Sequence, residues 1–100
     1  MQFLAISKSK EGTTEEAVTP HFLEEVKETL NLYLLEKIRN FYYRKDQKGV
    51  IFHMDADSEK EANEILSQLP LVKKGFLEYE FIPIGPLLPI GLLTGLTCDI

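Results

Sequence analysis

The chain contains one cysteine, Cys98, among its 100 residues. A lone thiol forms no internal disulfide, which excludes the stapled class of small secreted domains. The opening MQFLAISKSK also lacks the basic-then-apolar order of a signal peptide, so a reducing cytoplasm is the expected compartment. Basic clusters are missing too. The net charge is −5, and Arg44, Lys45 and Lys48 are the densest group of cations, too few to hold a phosphate backbone. Nucleic acid is therefore not an expected partner. No glycine-rich stretch follows a strand and opens a helix, so the phosphate-cradling motifs are absent. His21, His53 and Cys98 do not stand at zinc-site spacing, and no metal or cofactor is expected. Cys98 has no local activator and reads as an inert tail thiol, while His21 reads as an exposed first-turn residue.

One long uncharged stretch is present, Phe81 to Thr97, close in length to a bilayer span. Pro83, Pro86 and Pro89 with Gly85, Gly91 and Gly95 would break such a helix repeatedly. Unpaired backbone groups in hydrocarbon cost several kcal/mol each, so no membrane span is expected.

What remains is the composition of one folded domain: 44% hydrophobic and 27% charged residues. Gln2 to Lys8 carries the apolar run Phe3-Leu4-Ala5-Ile6 and predicts a central strand covered on both faces. Lys10 to Glu16 predicts a loop. Thr19 followed by Pro20 predicts a helix start, and Phe22, Val26, Leu30 and Tyr33 then recur at helical spacing opposite Glu24, Glu25, Lys27 and Glu28. Ile38 to Lys45 and Val50 to Ala56 predict a hairpin around the turn residues DQKG. Ser58 and Glu61 stand as a capping box ahead of the stripe Ala62, Ile65, Leu66 and Leu69, with Pro70 ending that helix. The alternating FLEYEFIPI then predicts a last strand closed by Pro83 and Gly85.

Strand, helix, strand, strand, helix, strand is the ferredoxin-like βαββαβ order, an α+β fold with a four-stranded antiparallel sheet. Both crossovers put helices on one face. The other face would expose Ile38, Tyr42, Phe76 and Ile82, a larger apolar patch than monomers usually carry. A second copy of the chain is the expected cover. Residues 1–85 then form the domain, and the tail 86–100, with Leu87, Leu88, Ile90, Leu92, Leu93 and Leu96, is expected to pack on the partner subunit.

The helix end Gln68-Leu69-Pro70-Leu71, the spacer Val72 to Gly75, and a last strand with Glu78 and Glu80 leading to Pro83 resemble the muconolactone isomerase family. Asp57-Ser58-Glu59-Lys60-Glu61-Ala62 resembles its relatives among the dimeric α+β barrel proteins. The likeness covers the second half of the chain, and the first half matches in element order. It implies sheet-to-sheet dimers that build larger rings, an exchanged C-terminal tail, and cofactor-free isomerisation of an unsaturated lactone by proton transfer. Phe41-Tyr42-Tyr43 and the leucine-rich tail depart from the catabolic enzyme, so its substrate is not implied.

Strand alternation splits the hairpin into two faces. With Lys45 paired to Val50 and Tyr42 to His53, Phe41, Tyr43, Val50, Phe52 and Met54 lie under the helices. Asn40, Tyr42, Arg44, Ile51, His53 and Asp55 face the other way, together with Glu78 and Glu80. The expected pocket is lined by His53, Tyr42, Arg44, Asn40, Glu78 and Glu80. In it His53 or a desolvated Glu80 would be the base, Tyr42 or Arg44 the donor that steadies an enolate, and Arg44, Asn40 and Glu78 would bind substrate. Two function classes follow: an isomerase acting on a small unsaturated acid or lactone, or a non-catalytic ligand-binding or assembly protein whose polar sheet face joins subunits. A cofactor-free monooxygenase on the same barrel is a third.

Overall fold

The computed structural model describes residues 1–95. Cys98 and Leu96 lie outside the described residues. The elements are β1 (Gln2–Ser9), α1 (Glu15–Val18), a 3-10 turn (Thr19–His21), α2 (Phe22–Leu34), β2 (Ile38–Tyr43), β3 (Val50–Asp55), α3 (Glu59–Leu66), α4 (Pro70–Lys73) and β4 (Leu77–Ile84). A 3-10 turn (Leu88–Ile90) and α5 (Gly91–Thr94) follow. The strands order as β2-β3-β1-β4, all pairs antiparallel, which is the ferredoxin-like sheet.

Alternation decides the core. Phe3 and Ala5 of β1 and Phe52 and Met54 of β3 point to one face and are buried with Ala62, Leu66 and Leu69. Each fully buried large side chain of that set contributes about 1.5–3 kcal/mol by leaving water. Ser58 accepts a 3.1 Å hydrogen bond from Glu61 N through its hydroxyl, and Glu61 Oε2 accepts one of 3.2 Å from Asp57 N, so the box closes one residue earlier than the usual pattern.

The first helical segment begins at Thr14, not Thr19. Thr14 is extended and its hydroxyl accepts from Ala17 N at 3.2 Å, with Glu15 and Glu16 in the favoured acidic first turn. The Thr19 hydroxyl instead donates 2.8 Å back to Glu15 O, and Pro20 sits in the 3-10 turn that separates α1 from α2. The predicted loop therefore ends two residues before Glu16.

The hairpin register is also corrected: Tyr43 pairs with Val50 and Tyr42 with Ile51, in place of Lys45 with Val50 and Tyr42 with His53. The loop is six residues long because Arg44 leaves the ladder. Its backbone N–H bonds Gly49 O at 3.0 Å, and its guanidinium bonds Ser7 O at 3.2 Å and the Asp46 carboxylate. The slip is two residues, so each side chain keeps its face. A bulge at Arg39 makes the exception. Ile38 pairs with Met54 and turns into the core at 1% exposure, where the expectation placed it on the open face. Arg39 is ion-paired to Asp55.

Two proline assignments change as well. The second helix stops at Leu66, and Pro70 opens α4 with Leu69 extended before it. β4 continues through Pro83 to Ile84, since it is an edge strand on which an outward-facing position needs no ladder N–H.

Candidate functional site

Helix α2 has an unusual inward face. Its positions 22, 25, 26, 29, 30 and 33 follow helical spacing, and the two buried residues among them are polar: Glu25 and Thr29, each 9% exposed. The apolar members Phe22, Val26, Leu30 and Tyr33 are 41–47% exposed. Phe22, Val26 and Leu30 border a cleft that separates part of α2 from the sheet, while Tyr33 packs edge-on against Phe41.

The inner chamber of that cleft holds about 350 Å³. Phe22, Val26 and Leu30 wall it from above, Phe41, Tyr43, Val50 and Phe52 from the hairpin, and Leu71, Leu77 and Tyr79 from the opposite end. Volumes of this size and apolar walls with few polar groups are the usual character of a small-molecule site. An outer chamber of about 830 Å³ shares Phe22, Tyr43, Val50, Leu71 and Leu77 with it, so the two form one cleft. The outer walls are mixed: beside those apolar side chains they carry Ser7, Ser9, Thr13, Thr14, Glu15, Arg44, Lys45 and Lys48.

Among the described residues, Glu25 is the single carboxylate lining the inner chamber. Its Oε1 accepts a 3.0 Å hydrogen bond from the backbone N–H of Leu71. That donor is free because it lies in the first turn of α4, where no preceding carbonyl is in reach, and Pro70 fixes the turn. Burial pushes the Glu25 carboxyl up from its ordinary value; the Leu71 bond opposes this, and the Glu28 charge adds to it. Thr29 supports the same turn of α2, donating 2.8 Å to Glu25 O.

Tyr79 lines the same chamber, as do the hydroxyl-bearing Thr29, Tyr42 and Tyr43. The Tyr79 ring stacks on Phe52 with centroids 5.7 Å apart and an interplanar angle of 24°. Its hydroxyl is buried and has no hydrogen-bond partner among the described residues. Burial, then the Glu25 charge, push the phenol well above its ordinary range, so it stays protonated as a donor. A carboxyl drawn toward neutrality and an unspent phenol in one apolar chamber are what a proton transfer next to a carbonyl requires.

The sequence-predicted residues divide around this cleft. Tyr42 lines the inner chamber and Arg44 the outer. Asn40 and His53 are register partners, and His53 Nε2 lies 2.7 Å from Gln2 Oε1 on the helix-free face. Glu78 and Glu80 pair with Lys8 and Ile6 on the far side of β1. His53 and Glu80 are thus separated by two strand spacings and by two residues along the strands, roughly 12 Å, and do not share a proton directly. Glu25 and Tyr79 were not among the predicted residues. Glu25 had a signal: a carboxylate three residues after Phe22 and four before Thr29 falls on the apolar stripe, not opposite it.

Among the described residues, no group of three or more His, Cys, Asp or Glu side chains is placed to hold a metal ion, and no helix is long and apolar enough to cross a membrane.

No family model and no curated protein sequence matches the chain. Solved structures do. The chain is similar to the 5-chloro-2-hydroxyhydroquinone dehydrochlorinase TftG of Burkholderia phenoliruptrix AC1100, solved in complex with 2,5-dihydroxybenzoquinone. The TM-score is 0.69 at 19% identity over 85% of this chain and 94% of that one. A second similar structure, At3g17210 of Arabidopsis thaliana, covers 85% of this chain and 93% of its own at 21% identity, with a TM-score of 0.42. What the chain shares with TftG is the α+β fold, a four-stranded antiparallel sheet with its helices on one face.

Proposed function

We propose that the protein takes a small unsaturated ring compound or acid into the cleft under α2 and isomerises it by proton transfer without a cofactor, as a muconolactone isomerase-like protein would. The observation that carries this reading is that Glu25 and Tyr79, whose buried hydroxyl has no hydrogen-bond partner among the described residues, line one apolar chamber. Ionised Glu25 removes a proton from the carbon next to a conjugated carbonyl, and the C–H electron pair moves into the enolate. Tyr79 donates its hydroxyl hydrogen bond to the enolate oxygen. Protonated Glu25 then returns the proton to the far carbon, shifting the double bond with no net change of atoms. The bound 2,5-dihydroxybenzoquinone of TftG adds a precedent for a ring-sized ligand on this fold.

Ligand binding without turnover is the second reading. It is favoured by the inner walls, where the remaining side chains are apolar or uncharged and no second base is present to relay a proton.

His53, Glu80, Asn40 and Glu78 are proposed as the polar part of a contact with a second copy, around Leu4, Ile6, Ile51 and Ile82. The tail supports assembly, since Leu87, Leu88, Ile90, Leu92 and Leu93 are all at least half exposed, Leu93 at 89%.

The experiment is solvent exchange. Unsaturated lactones and enoic acids are incubated with the protein in deuterium oxide and their carbon-bound protons followed by NMR. Exchange or isomerisation that Glu25→Gln abolishes supports catalysis. Saturable binding with no exchange leaves the binding reading, and neither result would remove the cleft as a site.

A further inference from the structure

The two chambers of the cleft differ in chemistry, and the difference selects a ligand. The inner chamber holds no cation, while the outer one is bordered by Arg44, Lys45 and Lys48. Lys48 is spent on Glu15, at 2.6 Å. Arg44 is anchored: Nε and Nη2 donate to Asp46 and Nη1 donates to Ser7 O, at 2.7–3.2 Å. A guanidinium has five N–H groups, so two of them are left over after these three bonds. Lys45 is the neighbouring cation, exposed and without an ion pair among the described residues.

Position matters as much as charge. Arg44 is held at the sheet edge next to Gly49. A Cβ on Gly49 would come within 2.7 Å of Ser7 Oγ and 3.1 Å of Arg44 Cδ, so glycine is what lets the hairpin close on β1. Ser7 Oγ completes that closure by accepting from Val50 N at 2.8 Å. The guanidinium is therefore preorganised before a ligand arrives, which reduces the entropy lost on binding.

We propose that the cleft binds an amphiphilic carboxylate, larger than a single ring, with its apolar ring in the inner chamber and its anionic end on Arg44 and Lys45 in the outer one. This rests on the reading of the cleft as a ligand site and deepens it by naming an elongated acid over a neutral lactone. Asp46 does not cancel the site. It offsets one charge of the Arg44–Lys45 pair, and Glu15 offsets Lys48, so among the described lining residues and their ion partners one positive charge is left over.

The test uses two probes of equal size, 4-phenylbutanoate and 4-phenylbutanamide, titrated into the full chain by calorimetry with amide shifts followed by NMR. The acid is expected to bind about tenfold tighter than the amide, the share of one charge-assisted hydrogen bond at a partly wet site, with shifts at Tyr79 and at Lys45. Lys45→Gln should erase most of that preference, read as a loss of affinity for the acid larger than any change for the amide. Because Arg44 also holds the hairpin, Arg44→Lys is the second variant, keeping charge and losing the fork. Equal binding of both probes, or a preference that Lys45→Gln does not alter, overturns the inference while the cleft stands. Shifts outside the cleft, or no binding of either probe, overturn both.

Discussion

Glu25 on α2 and Leu71 on α4, 46 residues apart, are joined by a 3.0 Å hydrogen bond from the Leu71 N–H to Glu25 Oε1. This bond accounts for the Leu-Pro-Leu stretch in physical terms. Proline supplies a helix start without an N–H of its own, and the next N–H is aimed at a buried carboxyl. Oε2 of Glu25 makes no hydrogen bond among the described residues. Removing the acceptor should leave a buried donor unpaired, so Glu25→Leu is expected to cost about 1–3 kcal/mol in urea denaturation. Glu25→Gln keeps an acceptor of the same shape and should stay within about 1 kcal/mol. Equal losses for both would mean that the bond contributes nothing.

The same carboxyl makes stability depend on pH. Its folded pKa is raised by burial, so over a window starting at the ordinary carboxylate value the folded chain still holds a proton that the unfolded chain has released. Below the window both states are neutral and there is no penalty. As pH rises through it stability falls, and above the raised value the loss is complete. Glu25→Gln should therefore gain on the natural chain as pH goes from about 4 to about 8, measured by denaturant midpoints. A constant difference would refute the assignment.

Tyr79 presents the converse case. Its buried hydroxyl has no partner among the described residues, and Tyr79→Phe removes a desolvated polar atom while keeping the ring on Phe52. The variant should be more stable by about 1 kcal/mol and bind or turn over its ligand less well. Gain in stability with loss of function marks a group kept for the ligand. A destabilised variant with normal binding would point to a structural hydroxyl.

The helix-free face tests assembly. Leu4 and Ile82 are register partners at its centre, next to Ile6 and Ile51. The proposed second copy should give at least a dimer by light scattering, and Leu4→Lys should yield monomer with an unchanged far-ultraviolet circular dichroism spectrum. A natural chain that runs as a monomer at micromolar concentration sinks the proposal.

The alternation of β1, β3 and β4, the Ser58 cap and the βαββαβ order were legible in the residues because they depend on neighbours in the chain. Side-chain parity survives even a two-residue slip of the hairpin, so Phe52, Met54 and Tyr79 were bound to one face whichever pairing won. What escaped was set by long-range partners. The Arg39 bulge sent Ile38 inward, Ser7 drew Arg44 out of the ladder, and Leu71 drew Glu25 under a helix whose other glutamates, Glu24 and Glu28, are not buried. Local periodicity states which residues share a face, since the backbone repeat is fixed by covalent geometry. Which face opens into a cleft, and which carboxylate loses its water there, was decided only when segments distant in sequence met.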